Sequence, residues 1–477
     1  MTLHQDHLSP VSGAAAQLAR PAWSWLARFA RAEDGTILPF AIPLVVAVGA
    51  ISYIGVDLMR HELYRTKLQA TLDRAALAAA DTARVQTPRE TVDAYLAQAG
   101  VAATLAPFAA QTTQNARSVA TGANLALPQG AGRVVPALGT ARATTSVAET
   151  VGNLEISLVL DISRNMATGT HMQNLRSAAD AFINTVLPTD GNSQVSVSLV
   201  PYSEQVNIGW PLFSQLSTNW VHNYSYCVEM PAAEYRTATL TQAFTYPQVQ
   251  HFQWDYDGFS NTRTNTVCPR YSYEAISPLS NDGTALKAQV AQLQPRAGVS
   301  VFAGVKWGTT LLDSGSTNLV NGLATQGTTP EAFRGRPALG TDTNTHKSLV
   351  VVASGTNTDS YRINPSLYAN QSHYAHWNAY NFWYYVSNYV PVSQRNNWWR
   401  FYYPGSAGDQ MTRDICASAK AAGIIIWAVS FEGDAATESL MRDCASSPNH
   451  SFAVAGSQLT GALSSIARSI TNQRLSQ

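Results

Sequence analysis

The sequence predicts an α/β fold: a doubly wound, mostly parallel sheet covered by helices, set behind a transmembrane and stem helix and a small β-rich module. Three observations predict it. Residues 35–56 read "GTILPFAIPLVVAVGAISYIGV", an apolar run without charge. From residue 155, short β-branched runs alternate with longer stretches whose apolar residues recur every three or four positions. The short runs are continuous rather than alternating, as strands buried on both faces are.

The first element is the membrane helix. Its 22 residues, at about 1.5 Å each, cross a hydrocarbon core of about 30 Å. The run is too long for the apolar part of a signal peptide, a polar tail precedes it, and no tidy A-x-A site follows. Pro39 and Pro43 fall in the first two turns, where proline does least damage. Arg20, Arg28 and Arg31 precede the helix and Arg60, Arg65, Lys67 and Arg74 follow it, so loop charge does not orient it. Low charge, aromatic content and cysteines in the remainder favour a cytoplasmic tail (1–34) and an exported C-terminal body. Residues 57–82 continue a helical repeat rich in Ala and Leu, which makes 35–84 one transmembrane and stem helix. A plain stalk and a stem that packs beside neighbours are both open at this point.

Residues 85–150 are rich in Ala, Thr, Gly and Val, with alternations such as "RATTSVAE" (142–149). They read as a small β-rich spacer module. The body follows over 151–477. Strands are expected at 155–161, 194–203, 347–355 and 424–431, and helices at 172–187, 413–423, 435–446 and 458–475. A glycine turn enters a further helix within 298–313, and Gly423 is the expected stop of the 413–423 helix. In such a sheet ligands sit at the carboxyl ends of the strands. Asp161, Ser163 and Asn165 leave the first strand there.

Only 13% of residues are charged and the formal net charge is zero, which argues against a nucleic-acid partner. The four cysteines, Cys227, Cys268, Cys416 and Cys444, form no CxxC or Cys/His cluster. In an exported protein they suggest two disulfides rather than a zinc site. No nucleophile elbow, phosphate loop, HExxH or paired carboxylates occur, so no enzyme is expected.

Two inserts interrupt the pattern, at about 207–280 and 361–410. The second holds 15 of the chain's 45 aromatic residues within 361–403, mixed with Asn, Gln and Ser. Tyr380, Trp383, Tyr385, Trp398 and Trp399 are candidates for contact with a glycan or surface protein, because rings supply area at low entropy cost. The alternative is a local core that holds the insert together.

The run from Gly35 to Thr82 resembles the N-terminal region of TadE/TadG-like proteins of the Tad (Flp-type) pilus-assembly system. Shared features are a glycine opening the apolar helix, the "xxDxxR" turn (Val56-Asp57-Leu58-Met59-Arg60) and the "LQxxLDxAALAAA" run (Leu68 to Ala80). The body resembles the von Willebrand factor A domain of TadG-like proteins, through "LVLDISRNMA", "AGVKWGTTLLD", "KSLVVVASGTNTD" and "CASAKAAGIIIWAVSF…LMRDCASSPNHSF". The resemblance implies a membrane-anchored pilus-assembly component, a scaffold or minor pilin-like protein whose partners are other pilus-assembly proteins. A surface adhesin using 361–403 is the alternative. The family's cysteine before "VE" matches Cys227, and Cys416 and Cys444 lie on consecutive helices around the last core strand. Pairs 227–268 and 416–444 are therefore expected over crossed ones.

The resemblance also implies a metal-ion-dependent adhesion site made of D-x-S-x-S, a threonine and a third-loop aspartate. Asp161 and Ser163 match, and Asn165 replaces the second serine. The threonine falls on Val299, with Ser300 beside it, and the aspartate falls on Ser354. With one carboxylate of two, a magnesium or calcium ion is expected to bind weakly or not at all, and no other cofactor is expected. Asp359 is a conceivable substitute.

Overall fold

The computed structural model describes residues 38–80, 86–112, 116–127, 139–150, 152–254, 260–342 and 344–475. The tail expected over 1–34 lies outside them. The chain divides into two units, at Glu149/Thr150.

In the first unit, helix α1 (Leu38–Ala80) is continuous. Its 43 residues extend for roughly 65 Å at about 1.5 Å per residue. Its first half is long and apolar enough to cross a membrane, and side chains such as Phe40, Val45 and Ile51 stand exposed. Its second half behaves differently. Leu68, Leu72, Ala75 and Ala79 form one stripe and are buried. They pack on Val92 and Leu96 of α2 (Pro88–Gln98) and on Val119, Ala123 and Ala143 of a three-stranded sheet. The strands are β1 (Thr104–Thr112), β2 (Ala116–Ala126) and β3 (Thr140–Thr150), with β1 and β2 antiparallel. The stem thus spends this apolar face within its own module. Helix α2 was not expected inside the β-rich stretch. Thr87 and Glu90 cap it reciprocally and Pro88 occupies its first turn.

The second unit is the predicted mixed α/β body. Its strands are β4 (Asn153–Asp161), β5 (Val195–Tyr202), β6 (Ser277–Ser280), β7 (Thr345–Ala353), β10 (Ile425–Phe431) and β11 (Ser451–Val454). Between β7 and β10 lie β8 (Ser360–Ile363) and β9 (Trp399–Tyr403), which pair antiparallel outside the main sheet. The six-stranded sheet runs β11-β10-β7-β4-β5-β6. All its pairings are parallel except that of β5 with the short edge strand β6.

Both faces are covered. Leu158 and Leu160 of β4 enter a core with α3 (His171–Val186), α4 (Gly283–Gln292) and α11 (Gln458–Leu475), while Val159 enters the opposite one. That second core contains α5 (Val301–Thr310), α6 (Thr317–Thr325), α9 (Gly405–Ala421) and α10 (Ala435–Cys444). Helix α5 lies hard against the sheet. A Cβ on Gly304 would stand 2.7 Å from Tyr202 Cδ1, and one on Gly308 would stand 2.7 Å from Val159 Cγ2. Gly423 follows α9 at φ +78°, the left-handed conformation that ends a helix.

The inserts differ from expectation at their ends. Residues 277–280 are the edge strand β6, so the first excursion stops at 276. Residues from Gly405 belong to α9, so the second closes with β9 at Tyr403. Cys227 is bonded to Cys268, and Cys416 to Cys444. The inserts share one core. Phe252, Trp254, Val267 and the 227–268 disulfide of the first pack with Ile363, Trp377, Phe382 and Val386 of the second. The last three belong to α7 (Gln371–Ala379) and α8 (Phe382–Tyr389).

Candidate functional site at the carboxyl edge of the sheet

Strand β4 ends at Asp161, and its carboxylate is fully buried. One oxygen accepts the Ser163 N–H at 2.7 Å. The other accepts both the Ser354 N–H and the Ser354 hydroxyl at 2.7 Å. Burial pushes the Asp161 carboxyl above its ordinary value, and these hydrogen bonds oppose the shift. The carboxylate therefore ties the end of β4 to the end of β7.

Of the other sequence candidates Asn165 serves the same joint, and the rest bond to neighbouring loops. Asn165 donates its amide N–H to the Ser354 carbonyl at 3.1 Å. Ser300 is buried, its N–H on the Ser203 carbonyl at 2.8 Å and its hydroxyl 3.1 Å from that of Tyr403. Val299, in the threonine position, is latched to Thr358 by reciprocal backbone and hydroxyl bonds of 3.0 Å. Asp359 does not swing inward. It accepts the Gly405 N–H at 2.8 Å, at the start of α9.

A hard divalent cation asks for several anionic or neutral oxygens in a regular shell. Here a single carboxylate is present, with both oxygens engaged. Among the described residues no group of three His, Cys, Asp or Glu could hold a metal. The donor set does not fit the ion.

One cavity borders this joint and another opens beside β9, and neither was apparent from the sequence. A polar cleft of about 410 Å³ is lined by Asn165, His171, Ser354, Glu432, Asp434 and Thr437. His171 Nε2 lies 3.8 Å from Glu432, a non-glycine residue held at φ +55° just past β10. The second cavity, about 510 Å³, has Met230, Tyr235, Phe302, Tyr402 and Met411 among its walls. Helix α9 presents Ala407, Gln410, Met411 and Asp414 to it, one helical face. Beneath it, buried Arg362 binds Glu204 at 2.9 Å and Glu229 at 2.6 Å and lies 4.6 Å from the Tyr402 ring centroid.

The contact candidates of the second insert are placed differently from a free surface. Tyr380, Trp383, Tyr385, Trp398 and Trp399 are all half-buried. Four of them, Trp383, Tyr385, Trp398 and Trp399, pack on the shared insert core. Tyr380 packs edge-on within the same ring network, 5.3 Å from Tyr385. The insert's aromatic residues mainly hold the insert.

Residues 35–82 match the family described as "Putative Flp pilus-assembly TadE/G-like". No curated protein matches the chain. Among solved structures it is similar to the vWF domain of the type V pili tip protein Mfa5 from Porphyromonas gingivalis, at 14% identity and TM-score 0.35, covering 69% of this chain and 98% of that one. It is also similar to the pilus adhesin SpaC from Lactobacillus rhamnosus GG, at 10% identity and TM-score 0.33. There 77% of this chain is covered but 33% of SpaC. A third likeness is to proximal thread matrix protein 1 of the mussel byssus with a zinc-occupied MIDAS motif, at 10% identity and TM-score 0.29, covering 67% and 47%.

Proposed function

We propose that this protein is a membrane-anchored component of a Flp-type pilus-assembly system whose α/β body is a docking module rather than a catalyst. The observation that carries the reading is the family match over residues 35–82, which coincides with the membrane-spanning half and stem of α1. The role is that of a scaffold or minor pilin-like protein. The stem packs on its own module and holds that module next to the anchor. The body lies on the exported side, where two disulfides persist. The cavity lined by Tyr235, Phe302, Tyr402 and Met411 suits apolar side chains of an assembly partner, and the sheet edge works without a divalent ion.

Deleting the gene and complementing it with the full chain tests the assembly role. Loss of pili in electron micrographs, restored by the full chain but not by residues 1–83 alone, is the expected outcome. Normal pili with lost attachment would favour the adhesin reading, and unchanged pili and attachment would refute both. Calorimetry with magnesium, calcium and manganese should show no binding tighter than about millimolar, the range of weak calcium sites.

A further inference from the structure

Most aromatic residues at 361–403 are buried or half-buried, with Tyr389, Phe401 and Tyr402 the exposed ones, and a separate exposed aromatic surface lies on the first insert. Of the nine tryptophans in the body, Trp210 and Trp220 are the two that stand exposed, at 45% and 51%. Both belong to the first insert, and their ring centroids are 5.2 Å apart. Indole is costly to leave in water, and a paired, exposed indole surface marks a contact site more often than a structural need.

A cavity of about 360 Å³ opens beside Trp220, lined by Trp220, Val221, His222, Asn223, Tyr224 and Gln371. Five of these come from the first insert and Gln371 from the start of α7 in the second, so the cavity exists only because the inserts pack together. Its volume lies at the lower end of the range for small-ligand sites, about 300–1,000 Å³. No lining residue carries a carboxylate, ammonium or guanidinium group. The one titratable base is neutral, because burial lowers His222 to about 4. Its Nε2–H is on the Val249 carbonyl at 3.1 Å, and its Nδ1 accepts from Gln248 at 3.2 Å.

This composition selects a ligand class. An anion or a cation would lose its hydration and find no counter-charge. A purely apolar side chain would desolvate the amides of Asn223 and Gln371 without replacing their hydrogen bonds. Gln371 donates its amide N–H to the Val221 carbonyl at 2.9 Å, which leaves its amide oxygen as an acceptor. A neutral ring with one C–H face and a rim of hydroxyls satisfies both surfaces at once. We propose that this cavity is a subsite for a neutral pyranose residue of a glycan, stacked on Trp220 and hydrogen-bonded through Asn223, Tyr224 and Gln371. Trp210, its ring tilted by 53° to that of Trp220, stands beside the subsite, where a second residue of the same glycan would meet it.

The test uses the full chain in lipid nanodiscs, since maltoside detergents would compete. Maltotetraose, cellotetraose, chitotetraose and mannotetraose are titrated with saturation-transfer NMR and tryptophan fluorescence. Heparin tetrasaccharide and sialyllactose are the anionic comparators. At least one neutral tetrasaccharide should bind more tightly than either anion, with an affinity unchanged across about a tenfold range of salt, because no ion pair is made. Trp220→Ala should weaken it tenfold or more, Asn223→Ala several-fold, and Trp220→Phe should restore most of the loss. Near-UV circular dichroism identifies a variant whose insert has not folded, and the exposed Asn223→Ala and Gln371→Ala variants then carry the test. The proposal is overturned if no neutral sugar binds, if an anionic one binds better, if Trp220→Ala and Asn223→Ala leave affinity intact, or if Trp220 crosslinks to a protein partner while no sugar binds.

Discussion

Replacing Asp161 by alanine distinguishes a carboxylate that ties two strand ends from one that waits for a metal. In the structure Asp161 accepts the backbone N–H groups of Ser163 and Ser354 and the Ser354 hydroxyl. Alanine leaves two buried N–H groups without acceptors, at about 1–3 kcal/mol each, whereas the hydroxyl can turn to another partner. Part of this is offset, because burial disfavours the charged carboxylate that is removed. The net loss should be about 2–4 kcal/mol. Guanidinium unfolding followed by tryptophan fluorescence reads it, since nine of the eleven tryptophans lie after residue 150. The loss should be the same in EDTA and in excess magnesium, and magnesium should not shift the wild-type midpoint. A metal-ligating Asp161 would behave oppositely. Magnesium at a hundred times its dissociation constant would stabilise the wild type by about 2.7 kcal/mol, and the alanine variant in EDTA would be at least as stable as the wild type. Either result would refute the structural role. The pH dependence has a definite sign as well. The folded-state pKa is raised, so this carboxyl's contribution to stability is fully present below the ordinary value of 3.8 and is lost as pH rises through the raised one.

Further outcomes follow from other contacts. Gly304→Ala should cost about 1–3 kcal/mol in the same assay, because its Cβ meets the Tyr202 ring and Val159. Gly461→Ala, in an exposed turn of α11 with open space around it, should be neutral or stabilising. Burial lowers His222 to about 4 and His251 to about 3, so the unfolded insert binds protons that the folded one refuses. The insert should therefore lose stability as pH falls from about 6.5 toward 4, by about 3 kcal/mol for His222 alone. Hydrogen exchange of residues 220–254 and 361–403 should show it, and His222→Phe should flatten the response. Arg362→Ala strands the buried carboxylate of Glu204 and the half-buried one of Glu229 and should cost about 3–5 kcal/mol. Limited proteolysis would read this as cleavage within 360–403, which the triple variant Arg362→Met, Glu204→Gln, Glu229→Gln should suppress.

Much of the architecture was legible because it depends on local periodicity. "EISLVLD" and "IIIWAVSF" are continuous apolar runs, and they became the interior strands β4 and β10. Gly423 stood at the end of a helical stripe and stops α9. Short elements were not legible. Strand β6 has four residues, one of them Pro278, and its place at the antiparallel edge comes from pairing with β5. Helix α2 carried a readable signal in Thr87-Pro88-Arg89-Glu90, a capping box that the surrounding β-rich composition hid.

The sequence by itself determined where the sheet's ligand edge lies, since a buried strand ending in Asp161 places that edge wherever the strand ends. It also determined that the chain has an apolar helix able to span a membrane and a body built around a mostly parallel sheet. What Asp161 does there was decided by tertiary structure, because one of its carboxylate oxygens is filled from Ser354, 193 residues away. The same holds for the aromatic residues. Their number was legible, but whether a ring faces solvent or another ring depends on which distant segment packs on it. The first insert covers rings of the second such as Trp377 and Phe382, and leaves its own Trp210 and Trp220 in the open. Periodicity is a property of neighbours in the chain, whereas satisfaction and burial are properties of neighbours in space.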